Sequence, residues 1–385
     1  MEMEKLSEEL LIEILLRLPV KTLLQVKSVC KNWYDLIHSP YFIYPHHDRA
    51  ASIAAAENTD CLLVKRFVDG GEGGEGSFTL SFVPNETPVE DIDISFTGID
   101  TNYLQLVGSC NGVVCLTRFR LNTTIVLWNP SMKEFRVLPQ PSYKIDHISN
   151  LGFGYDPETD NYKVVRFGMV STDVFVRGMD DAIEIYDLRT DSWRVVDAES
   201  PVNSGFRCSY DYVLWNGDFF WYACHKHTHG AVIMAFRMSN EVFEEIPIEG
   251  VPLSDEIGGT KLFVLNDSLA MVIYPPQWSN PFLFPPEEFV IMKSFDIWVM
   301  NKDDVELSWT KKFTIGPSQG LDWPLGFRLN GEFLLESSYG QMMSYNLYTQ
   351  ERKEYQVHDH VRGHDPPPPN LQVLLYTESL VSVKR

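Results

Sequence analysis

"VLWNPSMKEFRVLP" (residues 126–139) sets an aromatic near the end of an apolar run, follows it with a polar turn, and brings a second aromatic seven residues on. It reads as a strand, a turn and a second strand. The pattern returns in "EIYDLRTDSWRVVD" (184–197) and "MAFRMSNEVFEEIP" (234–247), where Tyr186/Trp193 and Phe236/Phe243 keep the spacing of Trp128/Phe135. It returns again in "DIWVMNKDDVELSWTKKF" (296–313), whose longer turn puts Trp298 and Trp309 eleven residues apart, and in "MSYNLYTQERKEYQV" (343–357). The leading aromatics Trp128, Tyr186, Phe236, Trp298 and Tyr345 recur at a mean spacing near 54 residues. A strand-built period of about 50 residues is the signature of propeller blades.

Each unit is preceded by another hairpin: "GSCNGVVCL", "LGFGYDPETDNYKVV", "YVLWNGDFFWYA", "LFVLNDSLAMV" and "LGFRLNGEFLLES". Turn dipeptides such as Asn111-Gly112, Asn216-Gly217 and Asn330-Gly331 tolerate positive φ at both positions. Four strands per unit over residues 61–385 predict a six-bladed, kelch-like β-propeller, with seven blades or a pair of irregular β-sandwiches as alternatives. The sixth blade is expected to form where "LQVLLYTESLVSV" closes against "CLLVKRF" and "FTLSFV", which removes exposed sheet edges.

The front of the chain obeys a different period. From Leu10 to Leu18 seven of nine residues are apolar, interrupted by Glu13 and Arg17, an i,i+4 pair. Ser7 suits an N-cap and Pro19 a stop; two more short helices fit "KTLLQVKS" and "VCKNWYDLIH" before Pro40. Three helices totalling under forty residues cannot bury so much apolar surface among themselves, so a covering partner is implied.

Composition narrows the function classes. Net charge is −21, and residues 1–45 contribute only −1 of it, so the β region carries the acidity. Such a surface repels nucleic acid and anionic lipid and attracts basic proteins, or simply keeps the protein soluble. No secretory signal and no membrane-spanning run is recognisable. The six scattered cysteines (Cys30, Cys61, Cys110, Cys115, Cys208, Cys224) form no CxxC pair and read as thiols of a reducing compartment. "CHKHTHG" (224–230) would set His225, His227 and His229 on one strand face, yet a polar loop explains it better than a metal site. No nucleophile elbow, P-loop or dinucleotide fingerprint occurs, so neither catalysis nor a cofactor is expected. "YPPQWSNPFLFPPEEF" (274–289) is too proline-rich for a central strand, and its Trp278, Phe282 and Phe284 are candidate contacts to a protein target. The alternative is a loop folded on its own blade.

"LSEELLIEILLRLPVKTLLQVKSVCKNWYDLIHSPYFI" resembles the F-box, a three-helix motif of about forty residues. The resemblance rests on Leu18-Pro19, on Lys-x-Leu-Leu ending at Leu24, and on Val-Cys-Lys-x-Trp ending at Trp33. Ser7 stands where many F-boxes have proline. The remainder resembles the F-box-associated region of plant F-box proteins, and "IWVM…SWTKKFTIGP" with "ESLVSVK" is most similar to the S-locus branch. The resemblance implies an F-box over 1–45, a linker over 46–59 and a target-binding β domain over 60–385. It implies a non-catalytic substrate receptor, in the cytoplasm or nucleus, that docks a Skp-type adaptor of a cullin–RING ubiquitin ligase and recruits a protein for degradation. The adaptor contacts it implies are Leu10, Ile14, Leu18, Pro19, Val20, Leu23, Leu24, Val29 and Cys30, with Trp33 bracing or joining them; some of these must form the helical core instead. The implied target of S-locus members is a basic S-RNase; a different plant target, or a non-degradative scaffold role, is the alternative.

Overall fold

The computed structural model describes residues 7–384 apart from 58, 69–76, 85–88, 119–123, 143–144, 172–178, 197–205, 226, 229, 254–258, 275–291, 302–307 and 359–370. Four helices lead: α1 Glu8–Leu15, α2 Val20–Val26, α3 Lys31–Ile37 and α4 Pro40–Glu57. The strands then form six four-stranded antiparallel sheets. Blade II holds β4 Leu104–Cys110, β5 Val113–Arg118, β6 Ile125–Asn129 and β7 Glu134–Val137. Blade III holds β8 Ile145–Asp156, β9 Asn161–Ser171, β10 Met179–Asp187 and β11 Ser192–Val195. Blade IV holds β12 Phe206–Trp215, β13 Asp218–His225, β14 Ala231–Arg237 and β15 Val242–Pro247. Blade V holds β16 Thr260–Leu265, β17 Ser268–Ile273, β18 Met292–Met300 and β19 Trp309–Gln319. Blade VI holds β20 Leu321–Phe327, β21 Phe333–Ser337, β22 Gln341–Tyr345 and β23 Arg352–His358. Blade I joins the two ends of the chain: β24 Gln372–Tyr376 lies innermost beside β1 Cys61–Val68, then β2 Ser77–Pro84 and β3 Glu90–Ile92. The fold is a six-bladed β-propeller closed by its last strand.

The recurring aromatics explain the hairpins. Trp128 faces Phe135, Tyr186 faces Trp193 and Phe236 faces Phe243 as direct cross-strand partners. Blade V departs from this pattern: a register shift at Ile297/Trp298 puts Lys311 opposite Trp298, and Trp309 opposite Met300. At Asn111-Gly112 and Asn216-Gly217 both residues have positive φ, as expected, but at 330–331 only Gly331 does. There Asn330 instead accepts a hydrogen bond from the Glu332 N–H at 3.0 Å.

Each seam between neighbouring blades contains a buried apolar cluster among the described residues. Ion pairs stitch the seams further out. Lys163 Nζ of blade III sits 2.7 Å from Asp156 and 3.1 Å from Glu241 of blade IV. Arg328 of blade VI reaches Asp60, just before β1, at 3.2 Å, with both side chains fully buried.

Three expectations are revised. The motif has four helices rather than three: Pro40 begins α4, since the first helical position needs no N–H donor. The segment 46–59, expected to link two domains, is helical to Glu57 and packs its His46 into the core. Only Gln372–Tyr376 of the terminal stretch is strand, and the chain beyond it turns under the helices.

Candidate functional site

Leu10 N–H donates to Ser7 Oγ at 3.3 Å, so Ser7 caps α1, and Glu8 and Glu9 occupy the positive end of its dipole. Glu13 pairs with Arg17 at 3.9 Å and with Arg49 of α4 at 3.2 Å. The inward face contributes Leu15, which is buried with Val20 and Leu23 of α2, Ile37 of α3, and Phe42 and Ile43 of α4. His46 closes the group: its Nε2 donates to the Leu18 carbonyl at 2.8 Å.

The ten residues assigned to adaptor contact therefore divide. Val20 and Leu23 are core residues with no surface to offer, and Trp33 is half-buried against the same cluster. Leu18 and Leu24 are half-buried, whereas Pro19 and Cys30 are exposed. Leu10, Ile14 and Val29 are 49%, 42% and 65% exposed. Leu10 and Ile14 lie one turn apart on α1 and share a stripe. Sequence reasoning did not single out Tyr34, stacked on His38 at 4.1 Å, or Tyr41, although both are exposed aromatics of the helical region. Of the thirteen exposed large apolar side chains among the described residues, five fall in the four helices and a sixth, Val29, in the turn between α2 and α3, so six lie within less than a sixth of the chain.

The helices join the propeller at one seam. Their core continues into Val113, Leu127 and Leu138 of blade II and Leu151, Phe153 and Tyr162 of blade III. Tyr44 donates to Asp160 Oδ1 in the β8–β9 turn at 2.7 Å. In an antiparallel blade, the first-to-second and third-to-fourth turns share one face and the second-to-third turn lies on the other. The helices therefore cover the face carrying turns 111–112, 130–133 and 157–160. β17 ends and β18 begins on the opposite face, as do β21 and β22, whose turn presents Tyr339, 80% exposed. Trp278, Phe282 and Phe284 lie outside the described residues.

The axial channel holds a cavity of about 290 Å³ lined by the innermost strands of all six blades, among them Leu106, Val213, Val264, Phe327 and Val373. On its wall Lys261 of blade V pairs with Asp211 of the neighbouring blade IV at 2.9 Å, and the lysine holds that carboxyl below its ordinary range. His225 Nδ1 accepts from the His227 and Thr228 N–H groups, both at 3.2 Å, so it caps its own turn; His229 lies outside the described residues. Among the described residues no three metal-ligating groups converge. Burial pushes the Cys61 and Cys110 thiols up to about 12, so neither is a ready nucleophile.

Comparison with known proteins follows the same division. The F-box domain family matches residues 3–44, and the family described as F-box associated beta propeller domain matches residues 78–383. The Arabidopsis thaliana F-box protein At3g17490 is 25% identical over 90% of this chain and 84% of its own length. F-box protein At3g08750 of the same plant is 27% identical over 65% of this chain, which spans 62% of it. F-box protein At2g17830, also from Arabidopsis thaliana, is 28% identical over 81% of this chain and 77% of its own length. Among solved structures, TolB from Acinetobacter baumannii aligns over 88% of this chain and 73% of its own, at 11% identity and a TM-score of 0.47.

Proposed function

Since the chain belongs to the F-box proteins that carry an F-box-associated β-propeller domain, we propose that it is the substrate-recognition subunit of a Skp–cullin–F-box ubiquitin ligase. The observation that carries this reading is the exposed apolar pair Leu10 and Ile14 on α1, whose opposite face is already covered, together with Val29, exposed in the turn between α2 and α3. Leu18, Pro19, Leu24, Cys30 and Trp33 flank them as further contacts. Val20 and Leu23 act from beneath, by holding α2 in place. Adaptor contact there leaves the opposite propeller face open to a protein target, with Trp278, Phe282 and Phe284 as its anchors. Catalysis is then proximity supplied to another protein's chemistry.

The charge of −21 favours a cationic target, because complementary fields speed encounter. A basic secreted ribonuclease of the S-RNase kind is the specific target we infer, acting in self-incompatibility. Reconstitution with adaptor, cullin and RING subunit tests the reading. Stoichiometric assembly and ubiquitin transfer to an added S-RNase support it. No assembly removes the receptor reading, and assembly without transfer to S-RNase removes that target alone.

A further inference from the structure

Beyond Tyr376 the chain leaves the sheet and threads between the helices and the propeller. Leu380, Val381 and Val383 are as buried as any core residue, in the cluster that holds Leu15, Leu23 and Phe42 of the helices and Phe153 of blade III. Polar anchors fix the path. Asn129, buried at the end of β6, donates through Nδ2 to the Ser379 carbonyl at 3.1 Å, to Ser379 Oγ at 3.2 Å and to the Val381 carbonyl at 2.8 Å. Ser382 Oγ donates to Glu134 Oε2 at 2.7 Å, and the Tyr376 and Ser131 hydroxyls share a 2.7 Å bond. A Cβ on Gly112 would meet Ser379 Cβ and the Thr377 carbonyl at 2.6 Å, so the β4–β5 turn must be glycine for the tail to pass. Glu378 lies close enough to His46 and Lys21 of the helices for both to act on its charge, although burial is the larger influence and pushes its carboxyl up.

We propose that residues 377–384 are a clasp that sets the orientation of the adaptor-docking helices on the propeller, with Asn129 as its positioning residue. Without the tail, the helices hold the propeller through the α4 connection, the Tyr44–Asp160 bond and an apolar contact stripped of three of its members. With it, one continuous core spans helices, tail and two blades. A receptor working by proximity needs its target held at one distance from the ligase, and a buried clasp supplies that constancy. The functional half of this inference rests on the receptor reading; the mechanical half does not.

Asn129→Asp is the discriminating change. A carboxylate keeps the oxygen that accepts the Met132 N–H at 3.2 Å, so the β6–β7 turn stays capped. It removes the N–H donors and turns an anion towards the Ser379 and Val381 carbonyls. Spin labels on Glu9→Cys in α1 and Lys312→Cys in β19, in a full chain carrying Cys30→Ser and Cys208→Ser, report the distance between the two parts. The parent should give one narrow distribution. Asn129→Asp should broaden it about twofold or more and speed amide exchange over 379–383 by about tenfold. A narrow distribution with a released tail overturns the clasp, and a tail that stays protected overturns the role of Asn129. Should Asn129→Asp fail to fold, Val381→Asp releases the tail without altering a propeller residue, and the same two outcomes apply. Adaptor affinity is measured separately on the unlabelled chain with all its native cysteines, with and without Asn129→Asp. Absence of binding by the unsubstituted chain defeats the receptor reading, whatever the distances show.

Discussion

Replacing Leu10 and Ile14 together by serine should separate docking from folding. Both side chains already expose close to half of their surface, 49% and 42%, so their truncation removes little from the core. Full burial of a leucine or isoleucine is worth about 1.5–3 kcal/mol, so covering the remaining half of each contributes roughly 1.5–3 kcal/mol for the pair. At about 1.4 kcal/mol per decade, adaptor affinity should fall roughly 10- to 100-fold. Leu23→Ala is the mirror case: the side chain has 0% exposure, and its truncation should cost about 2–5 kcal/mol of stability. Titration calorimetry against the purified adaptor, with thermal melts of each variant, reads both quantities. The reasoning fails if the serine pair binds like the parent, or if it melts as low as Leu23→Ala.

Arg328→Met should leave the Asp60 carboxylate buried without its partner and destabilise the VI–I seam by about 3–5 kcal/mol. Adding Asp60→Asn should recover part of that loss in a double-mutant cycle, and strict additivity would show that the pair does not close the ring. Acid should loosen the III–IV seam. Burial opposes the charge of Asp156 and Glu241, but hydrogen bonds and the nearby cations win and hold both carboxyls below their ordinary values. Their stability is therefore complete above the unfolded values, near pH 4 and above, and drains as pH falls through the lower folded values. Glu241→Gln should flatten the fall of melting temperature below about pH 4.5; an unaltered slope would remove the bridge to Lys163 from the account.

The propeller was legible because its hairpins repeat a chemical pattern. Paired aromatics such as Trp128 and Phe135 need a fixed turn length to meet, and that need is written in spacing. Blade V hid its register shift, since Trp298 and Trp309 look like one more aromatic pair until Lys311 is seen opposite the first. The tail was misread for a physical reason. Leu380, Val381 and Val383 are apolar for burial, and a buried extended segment carries the same signal as the strand that precedes it. At the start of α4, Pro40 read as a breaker, yet it stands where no donor is needed, and the Ala-rich stretch after Pro45 favours the helix. The docking stripe was visible as excess apolar surface. Which of its members pointed inward was not, because Val20, Leu23 and Leu24 are interchangeable in hydrophobicity and only the packing of α4 and the tail separates them.

Hydrogen exchange of the full chain with and without the Skp-type adaptor tests the central claim most directly. The receptor account predicts slowed exchange across α1, across α2 and through residues 29–34, with the propeller strands unchanged. Protection confined to the propeller, or none at saturating adaptor, would contradict it.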